Sequence, residues 1–459
     1  MADRNADKAG RFVHEPVPVL LPGQTDASIT RDISDLVLTP PGRGWWIGFL
    51  LSSLTVLMLL GAVSYLFMQG VGIWGINTTV VWGFDITNYV WWIGIGNAGT
   101  LISAMLYLTR QQWRTSINRF AEAMTIFAAS IAGLFPILHL GRPYTFYWLF
   151  PYPNIMGVWP QFRSPLMWDM FAILTYIFVS ILFWYTGMIP DFATLRDRAQ
   201  SRFAQLIYGV LALGWRGSAV HWARYERAYL ILAALAVPLV VSVHSVVGYD
   251  FSISVMPGWR STIFSPYFVV GAMFSGFAMV ITLTAVLRAA FRLHAFITLH
   301  HFDAMAKILL TGSLIMGFSY GMEVFMAWYD GEAYDWQGIV NLMSGPYSTY
   351  YWFMLFCNVA VPQLCWSRRV RHSIATLLAI SILVNIGMWL ERYLIVVNTL
   401  GFGFLPSQRR LFFPTIWDFA ILLGMLGFFI ALFFLFARFV PMIPMHEVRR
   451  LAHRLEKGK

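Results

Sequence analysis

Charge is scarce in this chain, at 12% of 459 residues, and only two residues are cysteine. A sequence so poor in charge, with 58% hydrophobic and 17% aromatic residues, carries more apolar surface than one water-soluble core can bury. Cys357 and Cys365 are too few for a disulfide framework and too few to hold an iron–sulfur cluster. No Walker loop, dinucleotide fingerprint or zinc motif occurs. The formal charge of +10 would suit nucleic acid, but the basic residues sit in short segments between apolar runs and form no single face. That pattern excludes a nucleic-acid binder and makes the lipid bilayer the solvent.

What the chain does have is long apolar windows of about 20 residues, each enough to cross a bilayer. They run near 45–68, 86–109, 120–139, 166–188, 227–248, 266–290, 304–327, 349–366, 373–397 and 416–437. The eighth is short. The expected fold is therefore all-α, a polytopic membrane protein of about ten spans. Twenty-six of the 32 Lys and Arg residues fall in the two tails and in alternate loops, against five (Arg142, Arg163, Arg260, Arg409 and Arg410) in the others. By the positive-inside rule both termini are expected on the cytoplasmic side of the membrane. Residues 190–226 are too charged to span and predict a surface helix.

Residues 1–44 form a polar, proline-bearing arm, expected to be extended and to order on a partner subunit. Residues 45–438 make the transmembrane domain, and 439–459 a basic cytoplasmic tail. A faint repeat divides the domain: Glu122-Ala123-Met124 meets Asp303-Ala304-Met305, and Pro165 meets Pro346, both at an offset of 181. It suggests two four-helix bundles, about 86–248 and 266–397, with two peripheral helices.

An ionisable group in hydrocarbon costs several kcal/mol, about 3 on insertion scales, so each one is a candidate working part. Under the expected orientation His139, Asp169, His244, Asp250, Glu323, Glu391, Arg392 and Asp418 all lie toward the outer face, with Asp85 and Asn88. Arg392 cannot lose its charge and needs an anion; Asp169, in the other half, is the expected partner. Glu391 is expected on another helix face, paired with a loop arginine. His139 changes charge near neutral pH. A carboxylate, an imidazole and an arginine meeting under one surface can receive the protons of a quinol as its electrons leave. The same residues also suit a plain Arg–Asp fastening between helices with a hydrogen-bonded histidine beside it. His139 and His244 are the one pair able to clamp a haem, but no second intramembrane pair exists to complete the usual stack, so no haem is expected, and no metal.

At His139-Leu140-Gly141-Arg142-Pro143, followed by Ser164-Pro165-Leu166-Met167-Trp168-Asp169, the sequence resembles the NrfD/polysulfide-reductase family of membrane subunits. With its length, ten spans and N-terminal arm it is most similar to the quinol-oxidising branch in bacterial alternative complex III. Many family members carry Asp where this chain has His139. The resemblance implies a subunit without its own redox cofactor, binding menaquinol or ubiquinol near the periplasmic face at His139, Asp169 and Arg392. Electrons would pass to an iron–sulfur subunit docked there and on to c-type cytochrome subunits, beside a second NrfD-like membrane subunit. It also implies proton translocation, for which Glu122, Asp303 and Lys307 are the candidate entry path, with Asn97, Ser103, Ser130 and Ser313 able to hold linking waters. A quinone-reducing subunit, a secondary transporter and a membrane anchor without quinone chemistry are the alternatives.

Overall fold

A computed structural model describes residues 18–150 and 162–457; the arm before residue 18 lies outside it. The described residues are helical, with no strand among them. In chain order the helices are α1 (Asp26–Leu38), α2 (Arg43–Gln69), α3 (Phe84–Leu108), α4 (Asn118–His139), α5 (Pro165–Arg198), α6 (Arg202–Leu211) and α7 (Ala219–Ser252). They continue as α8 (Phe264–Ala290), α9 (Leu299–Tyr329), α10 (Ala333–Ser344), α11 (Ser348–Leu355), α12 (Ile374–Gly401), α13 (Ile416–Phe439) and α14 (Met445–Lys457).

Eight of these, α2, α4, α5, α7, α8, α9, α12 and α13, are long and apolar enough to cross a membrane. The other two expected spans take different forms. α3 is long enough but carries Asp85, Asn88 and Asn97 and is buried along almost its whole length among its neighbours. The eighth window begins as α11, widens into a π turn at Phe356–Ala360 and tightens into a 3₁₀ turn at Val361–Trp366. Pro362, which has no N–H to donate, explains why the helix cannot run on unbroken.

Helix neighbours fall into two sets. α3 packs on α4 and α7, and α5 on α7; α8 packs on α9 and α12, and α11 on α12. The sets join where α3 and α7 meet α8. Small residues permit this closeness: a Cβ at Gly276 would run into Ala98, and one at Gly99 into the backbone of Ala121. α2 and α13 pack on each other outside these sets, with Leu59 against Gly424 and the Trp45 indole donating to the Phe434 carbonyl (3.0 Å).

The arm is not wholly extended. Thr25 caps α1, whose Ile29, Ile33 and Val37 recur every fourth residue and bury one stripe against α14, α13 and α5. The C-terminal tail is likewise a helix, α14, which buries Met445, Val448 and Leu451. Between 190 and 226 the chain completes α5, forms the short amphipathic α6 and starts α7.

Candidate functional site

One end of the bundle, where α3, α5, α8 and α13 begin and α4, α7, α9 and α12 end, carries few arginines. The sequence-predicted residues of this end gather around the first two turns of α3. Asp85, Asn88 and Tyr89 stand three and four residues apart, so they share one helix face and can serve four neighbouring helices.

Asp85 serves α4. Its Oδ2 contacts His139 Nδ1, while Oδ1 accepts from the Gly83 amide at 3.0 Å. The carboxylate is buried and the imidazole about one-third exposed, at 31%. His139 ends α4 because Gly141, at φ +63°, reverses the chain; a Cβ there would lie 2.9 Å from Val71 Cγ1. The Gly-Arg-Pro motif thus fixes where the imidazole points.

Tyr89 serves α5 and α7. It lies within electrostatic reach of Asp169 and Asp250, whose carboxyl groups meet each other. Two carboxyls attract only with a proton between them. Oδ1 of each is buried without a partner, which leaves acceptors free in the same place.

Asn88 serves α12, accepting from the Trp389 indole at 2.7 Å. One turn further on, Arg392 Nη1 lies 2.8 Å from Glu391 Oε1, an ion-pair contact without hydrogen-bond alignment. The guanidinium also lies over the Phe268 ring, 4.2 Å from its centre, and against Gly271. Glu391 accepts from the Tyr320 hydroxyl, which in turn accepts from Asn358 Nδ2 at 3.0 Å.

Two expectations are corrected here. Asp169 and Arg392 do not form an ion pair, and Glu391 does not reach a loop arginine. The reason is local: the adjacent side chains of Glu391 and Arg392 turn toward each other just before the π turn at Leu394–Asn398, and both remain buried, so each neutralises the other with no charged partner from another helix. His139, Asp169 and Arg392 therefore have separate partners, linked through α3. His244 meets Asn97 in the interior. Asp418 accepts from Gly75 N (3.1 Å) and Thr415 N (2.8 Å), fastening α13 to the α2–α3 connection. A cavity of about 40 Å³, room for about three waters, is bordered by Tyr267, Tyr320, Glu323 and Glu391.

At the opposite, arginine-rich end Glu122 is buried, accepting from Ser103 and from Tyr229 (3.1 Å), with Oε2 unpartnered. Asp303 is held by Lys307 (2.6 Å) and Arg371 (2.7 Å), and Lys307 is exposed. Sequence reasoning passed over Arg119, fully buried and paired with Asp191 at 2.9 Å, and Arg114, paired with Glu447 at 2.7 Å. In the sequence both fall between apolar windows, as loop charges do; Arg119 precedes Glu122 by one helical turn, the spacing that marks it as part of the same buried face.

A model of the polysulphide reductase NrfD family matches residues 73–402. The chain belongs to that family. The NrfD match runs from the turn after α2 to the end of α12, so it takes in both helix sets and leaves out α1, α2, α13 and α14. This NrfD chain is similar to a protein of Halobacterium salinarum named as a putative membrane component (C) of dimethyl sulfoxide reductase, at 28% identity over 244 residues, 53% of this chain and 51% of that one. It is also similar to the C component of selenate reductase from Mesobacillus selenatarsenatis, at 25% over 241 residues, 50% of this chain and 54% of the other. The chain spans about half the length of the curated relatives it matches.

Proposed function

We propose that this NrfD chain is the membrane subunit of an oxidoreductase complex and exchanges electrons and protons with a quinone in the bilayer. The observation that carries the reading is the convergence of His139, with Asp85, and the Asp169–Asp250 pair on the first two turns of α3. Oxidation of a quinol releases two electrons and two protons. His139 would take one proton, with Asp85 steadying the imidazolium, and the Asp169–Asp250 pair the other. Arg392, balanced by Glu391, would hold the positive charge beneath the site. The electrons would leave to an iron–sulfur partner at this end.

Both similar proteins are named as subunits of reductases. The comparisons therefore support the alternative reading, an NrfD-type subunit of a reductase complex, better than a subunit of alternative complex III; where such a complex draws electrons from the bilayer to its reductase, this subunit would oxidise a lipid-soluble donor. The finer reading, a subunit of alternative complex III with c-type cytochromes and a second NrfD-like chain, rests on the resemblance in length, spans and N-terminal arm, with His139 as the departure that favours that branch. The proteins that co-purify with the chain separate the two: a single catalytic reductase subunit with its iron–sulfur protein, or several cytochromes. If protons also cross, Glu122 suits an entry point, because it is buried with one free oxygen, whereas Asp303 and Lys307 form an ion-paired rim.

The deciding experiment is Asp169→Asn in the assembled complex, with quinol turnover as the readout. Turnover is expected to fall roughly 100-fold, the usual worth of a positioned proton acceptor. Turnover at the wild-type rate would defeat the assignment.

A further inference from the structure

At the arginine-rich end a cavity of about 630 Å³ opens between the α3–α4 connection, α7 and α14. Arg110, Arg114, Arg450 and Arg454 line it, against the carboxylates of Glu226 and Glu447. Glu447 is bound to Arg114 and Glu226 to Arg450, while Arg110 and Arg454 make no ion pair among the described residues. The wall therefore keeps an uncompensated positive charge of about two, as a basic pocket for lipid phosphate requires.

The pocket is built. Arg114 forms part of its floor, 5% exposed, with its guanidinium over the Tyr107 ring at 4.6 Å and Nη1 lacking any acceptor. Burial works against its charge, yet Glu447, Tyr229 and Glu122 together outweigh burial and hold its pKa above the ordinary value. The helix that carries Arg450 and Arg454 is held in place because α14 also buries Met445, Val448 and Ala452. Arg110 adopts φ +56°, a conformation glycine takes more cheaply, so an arginine is kept there at some cost. Leu108 and Leu230, 39% and 49% exposed, stand on the cavity's apolar rim. A free phosphate has no use for that rim; acyl chains do.

We infer that this cavity binds the phosphate headgroup of an anionic phospholipid, with the acyl chains descending over Leu108 and Leu230. The lipid would clamp α14 to the α3–α4 connection. This inference stands apart from quinone chemistry, and its test does not involve turnover.

The purified complex in micelles containing equal phosphatidylglycerol and phosphatidylcholine would be examined by native mass spectrometry. Bound phosphatidylglycerol should exceed phosphatidylcholine about tenfold, and R450Q/R454Q should abolish the preference, each arginine near a lipid phosphate being worth about a fivefold effect. E226Q, which removes the competing carboxylate, should raise the preference severalfold. Should R450Q/R454Q fail to assemble, R110Q and E226Q give the same reading with opposite signs. Equal retention of the two lipids, or preference unchanged in these variants, overturns the site. Displacement of the lipid by millimolar inorganic phosphate assigns the pocket to free phosphate and overturns the lipid reading.

Discussion

Arg392 is 3% exposed and cannot shed its charge, and Glu391 is the carboxylate placed beside it to balance that charge. Arg392→Gln would strand that carboxylate and lower stability by about 3 kcal/mol, as breaking a buried pair does. The double variant R392Q/E391Q should recover more than half of the loss, measured as the midpoint of thermal unfolding in detergent. If the double variant is no better than the single one, the pair is not what neutralises the guanidinium. The type of residue and its depth were legible in the sequence; its partner was not. Side-chain torsions decide whether adjacent residues 391 and 392 meet, and hydropathy carries no information about them. His139 and Asp169 were legible for the same reason as Arg392, as costly groups at span ends, whereas the roles of Asp85 and Asp250 depend on which helices touch.

Among the elements, α3 matters most because it is buried by its neighbours along almost its whole length. Its glycines and alanines bring α4 and α8 to backbone distance, and its first turns then reach three more helices. Gly276→Leu should overpack the seam with Ala98, costing about 1–3 kcal/mol, and should disturb Asp169-dependent turnover although residue 276 touches neither Asp85 nor Tyr89. An unchanged unfolding midpoint in G276L would show that the seam is looser than the backbone spacing implies. The long spans could be read from apolar run length alone. Run length could not show that Pro362 breaks the eighth into π and 3₁₀ turns, nor that Ile29, Ile33 and Val37 make a helix of part of the arm. Those three residues sit among charges, which mask the period that folding exploits.

For the molecule as a whole, the distribution of Arg and Lys predicts which end faces which compartment. Cys357 and Cys365 are buried, so introduced thiols report cleanly. In intact cells a membrane-impermeant thiol reagent is expected to label R409C and spare K457C, and labelling only after lysis for both, or the reverse pattern, would contradict the orientation. α4 and α9, which carry the Glu122 and Asp303 segments, open at Asn118 and Leu299, whereas Pro165 opens α5 and Pro346 lies two residues before α11.

The two ends of the described chain also touch. His453 of α14 lies 3.1 Å from Asp26 at the head of α1, and Arg438 donates to the Val37 carbonyl at 2.8 Å. The chain is thus closed like a buckle at one pole, and dyes attached to α1 and α14 would sit close enough for strong energy transfer. Cutting away the last turn and a half should dim that signal before any span is disturbed, which makes the closure an optical gauge of whether a docking neighbour has pried the pole open.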